Sequence, residues 1–90
     1  MVLLDALGRR WTLRILWELQ RAGSALSFRG LRAACDDLSP TVLNERLRDL
    51  RTLGIVEVQA DGYVLTTEGH SLGAQLIGLH GWAERHLRGA

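Results

Sequence analysis

The chain has 90 residues, of which 47% are hydrophobic and 23% are charged, and its formal net charge is +1. This length allows one small domain with a modest core, so we expect a partner subunit to add stability. No apolar run reaches the 18 residues of a membrane span and no signal-peptide pattern begins the chain, so we expect a cytoplasmic protein without a membrane partner.

The basic side chains are concentrated in the first half of the chain. Residues 9–51 hold nine Arg against five acidic residues, whereas residues 52–90 hold two Arg against four acidic residues. All eleven basic residues are Arg, whose guanidinium matches phosphate groups and guanine edges, although a GC-rich coding sequence explains the same bias. The charge distribution is therefore a mild indication of a nucleic-acid partner.

The first predicted helix covers residues 9–21 and follows a short apolar lead-in at residues 2–7. Leu13 and Trp17 widen its apolar surface, which predicts burial on more than one side, and Gly23 predicts its end. The side expected to face the core carries Trp11, Ile15, Leu16 and Leu19.

A second helix is predicted over residues 27–35, with Ser27 as its cap. The segment Asp36–Leu38 then forms a turn before the next helix, and two short helices joined by a tight turn are the minimal helix-turn-helix. The spacing of three and four residues predicts an inner face made of Phe28, Leu31 and Cys35.

Residues 39–53 predict a helix with one apolar edge and one polar face. We expect Ser39 to cap its first turn, Pro40 to take the first helical position and Gly54 to end it. Such a helix is typical of a recognition helix, which is held to the core by its back and reads DNA with its front. The inward edge is formed by Leu43, Leu47 and Leu50, and the outward face by Thr41, Asn44, Glu45, Arg48 and Thr52.

The periodicity changes from 3.6 to 2 over residues 55–66, which we interpret as the wing of a winged helix. Val56 and Val58 alternate with polar residues, and Asp61-Gly62 predicts a two-residue hairpin turn. The predicted fold is mainly α with a small two- or three-stranded β-wing, and residues 1–90 are expected to form a single winged helix-turn-helix domain.

A last helix is predicted over residues 67–87, with Thr66 as its cap. Its apolar stripe is too long for a small core to cover, which predicts a partner helix. Three glycines on this helix allow a close helix–helix approach across a dimer: Gly73, Gly78 and Gly81. The residues predicted for the dimer interface are Leu72, Leu76, Leu79, Trp82 and Ala83, with Ile77 beside them.

Six segments carry a resemblance to a known family: Gly8–Leu16, Ser27–Leu31, Leu38–Leu50, Leu53–Val56, Tyr63–Gly69 and Trp82. In this order they resemble the HxlR-type winged helix-turn-helix regulators, relatives of the MarR group, over almost the whole chain. Gly30 stands where the family prefers Glu. Many members carry a cysteine ahead of the first helix that senses electrophiles or oxidants, whereas residues 2–7 contain none.

The resemblance implies a transcriptional regulator that binds double-stranded DNA as a homodimer. Its terminal helices would pair, and its two recognition helices would enter successive major grooves of an inverted repeat, with half-sites about 34–36 Å apart. We expect such a dimer to repress transcription by occluding a promoter. No enzyme activity and no cofactor are expected.

The candidate DNA-binding residues are Ser39, Thr41, Asn44, Glu45, Arg48, Arg29 and Arg32. Arg48 suits a base edge or a phosphate, and its alternative is a solvated side chain paired with Glu45 or Thr52. Thr41 and Asn44 lie near the helix N-terminus that meets base edges in this motif, or are plain surface residues. Arg29 and Arg32, like Arg9 and Arg10, are either phosphate contacts or solvated charges.

Other chemistry has little support in the sequence. Cys35 is predicted to be a buried apolar side chain, since a redox sensor needs an exposed thiolate of low pKa. His70, His80 and His86 lack metal-ligand spacing, and we find no Gly-rich phosphate loop and no nucleophile beside a histidine in a known motif.

Two alternatives concern the partner. The predicted wing contains Glu57 and Asp61 but no Arg or Lys. This favours a protein-interaction module that does not bind DNA specifically, whereas the Arg-bearing recognition helix favours DNA. In addition, a cavity between the terminal helices and the core could admit a small-molecule effector. The tryptophans Trp11, Trp17 and Trp82 are interpreted as core or dimer anchors.

Overall fold

A computed structural model describes residues 9–87 as four helices and one two-stranded antiparallel sheet. The fold is a winged helix-turn-helix, as predicted, and the apolar lead-in at residues 2–7 lies outside the described residues. In chain order the elements are α1 (Thr12–Ala22), α2 (Phe28–Ala34), α3 (Pro40–Thr52), β1 (Val56–Gln59), β2 (Gly62–Leu65) and α4 (Thr67–His86).

The core lies where the first three helices meet the base of the hairpin. Each fully buried Leu or Ile side chain contributes about 1.5–3 kcal/mol to stability through removal of its apolar surface from water. The predicted inward edge of α3 and the inner face of α2 are confirmed. The buried apolar residues are Ile15, Leu16, Leu19, Leu31, Cys35, Leu38, Leu43, Leu47, Leu50, Ile55, Val56 and Leu65.

Helix α1 begins three residues later than the sequence predicts. Trp11 precedes it with a φ of 78°, a left-handed conformation that bulky residues rarely adopt, and its ring packs half-buried against the core. The expected burial of α1 on a second side is wrong for Leu13, which is 44% exposed, whereas Trp17 is half-buried and contacts His80 of α4. This second side of α1 faces a groove along α4.

Two of the predicted helix caps are confirmed. The hydroxyl of Ser27 accepts a hydrogen bond from the N–H of Gly30 at 2.9 Å. The hydroxyl of Thr66 accepts one from the N–H of Gly69 at 3.1 Å and begins α4. The predicted helix ends at Gly23 and Gly54 are also confirmed, with φ values of 64° and 73°.

The hairpin turn lies one residue earlier than predicted. Gln59 pairs with Gly62, so the two loop residues are Ala60 and Asp61, while Gly62 begins β2. Gly62 has a φ of 129°, and a Cβ on it would lie 2.3 Å from the carbonyl oxygen of Leu26. The register of the hairpin follows from this close approach of β2 to Leu26, because Tyr63 and Leu26 exchange two backbone hydrogen bonds of 2.8 and 3.0 Å.

The alternation predicted for β1 holds only at its base. Val56 is buried, but Val58 is 49% exposed because the hairpin extends beyond the core at that point. On α4, Gly73 is buried against the side chain of Gln20 in the same chain, where a Cβ would lie 2.6 Å from the Gln20 Oε1 atom. Gly73 is therefore used inside the chain, contrary to its predicted place in a dimer contact, whereas Gly78 faces open space.

Candidate nucleic-acid interface

Helix α3 presents a continuous polar face away from the core. Its back is fixed by Leu43, Leu47 and Leu50, none of which is more than 2% exposed. Residues three and four positions apart share one face of a helix, so the front side chains form a stripe about one helix long. The exposed front residues are Thr41, Asn44, Glu45, Arg48 and Thr52, as the sequence predicts.

Arg48 is available for an external partner. In the described part of the chain it forms no ion pair, and Glu45 instead lies 3.4 Å from Arg46. Arg46 also lies 3.3 Å from Asp49, and its side chain is only 13% exposed. Among the described residues, the alternative pairing of Arg48 with Glu45 is therefore not formed, and the Glu45 carboxylate lies beside Arg46 instead.

The two arginines predicted on α2 differ in their surroundings. Arg29 is exposed. Arg32 is half-buried, and its Nε donates a hydrogen bond to the backbone carbonyl of Leu38 at 2.7 Å. This bond links α2 to Leu38, two residues before α3, so Arg32 has an internal partner and Arg29 is the freer of the two for a phosphate.

The predicted side-chain cap at Ser39 is wrong. Ser39 occupies the N-cap position of α3, but its hydroxyl makes no capping hydrogen bond. Pro40 has no N–H to satisfy at the first position, and Ser39, Pro40 and Thr41 are all exposed, so water can satisfy the remaining first-turn amides. The Ser39 hydroxyl is thus not used inside the helix.

The hairpin that follows α3 carries an uncharged-to-acidic surface. Glu57, Gln59 and Asp61 are exposed, and the Gln59 side-chain amide donates to the Glu57 carboxylate at 3.1 Å. No Arg or Lys occurs between Arg51 and Arg85 in the sequence. The basic side chains of the described residues therefore lie on α3, before it in the chain, and at Arg85 near the end of α4.

The last helix leaves part of its apolar stripe uncovered, as predicted. Leu72 and Leu76 pack half-buried against the core. Beyond them, Ile77, Leu79 and Trp82 are 42%, 61% and 46% exposed. Ala83 is half-buried.

A groove of about 320 Å³ lies between α1 and this part of α4. The Trp17 and His80 rings both line it and contact each other, with their centroids 4.9 Å apart and their planes tilted by 57°. Its other lining residues are mainly apolar: Leu13, Arg14, Leu76, Leu79 and Ala83.

Cys35 has the buried environment predicted for it. Its side chain is 0% exposed, and burial raises the pKa of its thiol to about 11. A thiol of this kind is protonated and shielded at neutral pH, which does not fit a redox sensor.

In the described part of the chain, no group of three or more His, Cys, Asp or Glu residues is arranged to hold a metal ion. Within residues 9–87, no helix has the length and apolar character needed to cross a lipid bilayer.

Two basic residues near the interface were missed by the sequence reasoning. Arg51 is exposed in the last turn of α3 and was detectable as a cation on a helix surface. Arg14 hydrogen-bonds to Ala34 and Asp36, which are 20 and 22 residues away. No local pattern reports contacts of that sequence separation.

Comparison with known proteins agrees with this geometry. The sequence model of the HxlR-like helix-turn-helix family matches residues 6–90. The chain is similar to the structure of a possible HxlR family transcriptional factor from Thermoplasma volcanium GSS1, with a TM-score of 0.83 and 27% identity. That match covers 94% of this chain and 81% of the other.

The chain is also similar to YodB of B. subtilis. The quinone-bound structure of YodB matches with a TM-score of 0.80 and 31% identity, over 90% of each chain. The reduced form of this transcriptional regulator matches with a TM-score of 0.79 and 26% identity, over 97% of this chain and 90% of YodB. No curated protein matches the chain.

Proposed function

This chain belongs to the HxlR-like helix-turn-helix family of DNA-binding transcriptional regulators, and we propose that it acts as a homodimeric repressor on an inverted-repeat operator. The family is a class of regulators and not a class of enzymes. The proposal includes the cytoplasmic location expected from the sequence.

The observation that carries the proposal is the polar face of α3. A recognition helix must be rigidly seated and must leave donors and acceptors free for base edges. The three buried leucines meet the first requirement, and the exposed Asn44 and Arg48 meet the second. A face with these properties can enter a major groove without a change in the core.

We assign the base contacts to Thr41, Asn44 and Arg48. Arg can bond guanine O6 and N7, Asn can bond adenine N6 and N7, and a Thr methyl can contact the thymine methyl. Glu45 lies on the same face and can accept from cytosine N4. We assign phosphate contacts to Ser39 and Arg29 and, through its remaining donors, to Arg32.

The proposed dimer forms through the uncovered stripe of α4. Exposed Leu79 and Trp82 give this helix an apolar surface that a second copy can cover. The predicted interface is completed by Leu72, Leu76 and Ala83. A two-fold dimer requires half-sites about 34–36 Å apart, one turn of DNA, and occlusion of a promoter by such a dimer represses transcription.

The groove between α1 and α4 supports a role for a small effector. About 320 Å³ of mainly apolar space suits a small organic molecule. YodB has been observed with a quinone bound. Because Cys35 is buried and is the chain's only cysteine, the effector proposed here binds without a covalent bond.

The acidic wing favours one alternative function. With Glu57 and Asp61 exposed, the hairpin repels phosphate, and the same surface can bind a basic protein segment instead. In that case the chain would be a protein-interaction module without sequence-specific DNA binding.

A selection from a random duplex library distinguishes the two functions. We expect enrichment of an inverted repeat, followed by a steep fall in affinity with salt because phosphate contacts release counterions. Weak binding at low salt without any enriched sequence would instead favour the protein-interaction function. A shuffled duplex of the same composition is the matched control for the salt titration.

A further inference from the structure

Arg14 extends from α1 to the turn that precedes the recognition helix. Its Nε donates to the Oε2 of Glu18 on the same helix at 2.7 Å. One terminal nitrogen donates to the backbone carbonyl of Ala34 at 2.8 Å, and the other donates to the Oδ2 of Asp36 at 3.1 Å. The planar guanidinium thus directs its donors to three acceptors in two different parts of the fold.

Both distant acceptors belong to a part of the backbone that needs a contact from outside α2. Ala34 is the last residue of α2, and carbonyl groups in the last turn of a helix have no partner within the helix. Asp36 and Asp37 have φ values of 59° and 58°, a left-handed conformation that residues other than glycine seldom adopt. Such a conformation persists only where surrounding contacts hold it.

The other hydrogen bonds of this turn come from α2 itself, while Cys35 and Leu38 pack in the core. The N–H of Asp37 donates to the carbonyl of Arg32 at 3.0 Å, and the Arg32 side chain donates to the carbonyl of Leu38 at 2.7 Å. Among residues 9–87, Arg14 is the side chain that hydrogen-bonds the turn to α1. Without it, the turn is held by its own hydrogen bonds to α2 and by the core packing of Cys35 and Leu38, and its left-handed residues lose part of their support.

Glu18 holds Arg14 in place for this contact. The Glu18 side chain is 11% exposed, and its Oε2 accepts from Arg14, while its Oε1 lies 3.8 Å from Arg21. The hydrogen bond that Arg14 donates to the Glu18 carboxylate raises the pKa of Arg14 and favours its charged form. Arg21 therefore shares Glu18 with Arg14 but does not extend to the turn, which makes it a matched control.

We propose that Arg14 is a positioning residue for DNA recognition, which sets the angle of α3 against the body of the domain by holding the turn at residues 35–38. The proposal rests on the proposed DNA-binding function and assigns Arg14 no contact with DNA. A small displacement of the turn moves the N-terminal end of α3, where Thr41 and Asn44 lie, so the loss of Arg14 should impair the reading of bases more than the attraction to phosphates.

The first test compares R14Q with R21Q in binding to the selected operator. R14Q should lower operator affinity about tenfold, whereas the slope of log affinity against log salt should stay unchanged because no phosphate contact is lost. R21Q should change neither quantity. Equal losses in the two variants, or a lower salt slope in R14Q, would overturn the proposal.

A second readout needs no DNA. Amide hydrogen exchange measured by NMR should be faster at Asp37 in R14Q than in the wild type or R21Q, and unchanged at Ile55, whose N–H bonds the carbonyl of Leu50. Unchanged exchange at Asp37 would overturn the positioning role of Arg14, whatever the operator-binding measurements show. If the wild type selects no operator, the proposed function fails, while this exchange measurement still decides whether Arg14 holds the turn.

The variant D36N weakens the same contact from its other end, because the Asn amide oxygen can still accept a hydrogen bond from Arg14 but carries no charge. Asn tolerates the left-handed conformation well, and Asp36 is exposed, so D36N should fold even if R14Q does not. It should reproduce the faster exchange at Asp37 and the loss of operator affinity. In the double variant, D36N should add little to R14Q, because the partner of Asp36 is already lost, and fully additive losses would contradict a shared contact.

Discussion

The hydroxyl of Thr66 donates a hydrogen bond to the backbone carbonyl of Gly54, with 2.6 Å between the two oxygen atoms. The same hydroxyl accepts from the N–H of Gly69 at the start of α4. One side chain therefore joins the end of the recognition helix, the end of the hairpin and the start of the last helix.

We expect T66V to destabilise the fold by about 1–2 kcal/mol, because it leaves the first turn of α4 without its cap and the Gly54 carbonyl without its donor. The free energy of unfolding in urea measures this loss. T67V is the matched control, since the Thr67 side chain is exposed at the next position of the same helix. Equal destabilisation by both variants would show that the hydroxyl contributes nothing beyond helix propensity.

Cys35 gives the protein a pH dependence at alkaline pH. Its thiol pKa is raised from 9.0 to about 11 by burial, so the folded state holds the proton more tightly than the unfolded state. The resulting stability is fully present below the unfolded pKa and is lost as pH rises through the folded pKa. Near pH 10.5 the loss should reach about 2 kcal/mol.

The comparison of wild type with C35A isolates this contribution. The cost of the cavity left by C35A does not depend on pH, whereas the thiol contribution does. The stability difference between the two proteins should therefore shrink from about pH 9 to about pH 10.5 in urea unfolding. Parallel stability curves over that range would contradict the assigned burial of the thiol.

The dimer proposed on α4 can be tested at its most exposed leucine. Leu79 is 61% exposed, so L79E should leave the monomer folded but place a charge in the interface, and we expect a dissociation constant raised at least about tenfold. Sedimentation velocity over a range of concentrations measures it. A74E adds the same charge on another side of α4, where Ala74 is exposed, and should sediment like the wild type. An L79E protein that stays dimeric would place the interface elsewhere.

The sequence predicted the features of this fold that depend on neighbouring residues. Ser27 and Thr66 cap their helices because a hydroxyl at that position can bond an amide three residues later. The three leucines of α3 are buried because their spacing follows the helical period. The exposed front of α3 follows from the same period.

Features set by distant contacts were not predictable in this way. The hairpin register depends on the backbone pairing of Leu26 with Tyr63, which a turn rule applied to residues 60–62 cannot include. The late start of α1 follows from the left-handed Trp11, whose ring packs on the core. The contact that Arg14 makes with the turn before α3 depends on acceptors 20 and 22 residues away in the sequence.

The most direct test of the central claim is the base preference of R48A measured on every single base-pair variant of the selected operator. We predict that R48A loses about 1–3 kcal/mol of binding free energy on the operator and relaxes the preference at one position of each half-site. R46A is the control on the same helix, because Arg46 is held by Glu45 and Asp49 and should keep the wild-type preference. An R48A protein that keeps the wild-type preference at every position would contradict the claim that this face of α3 reads DNA.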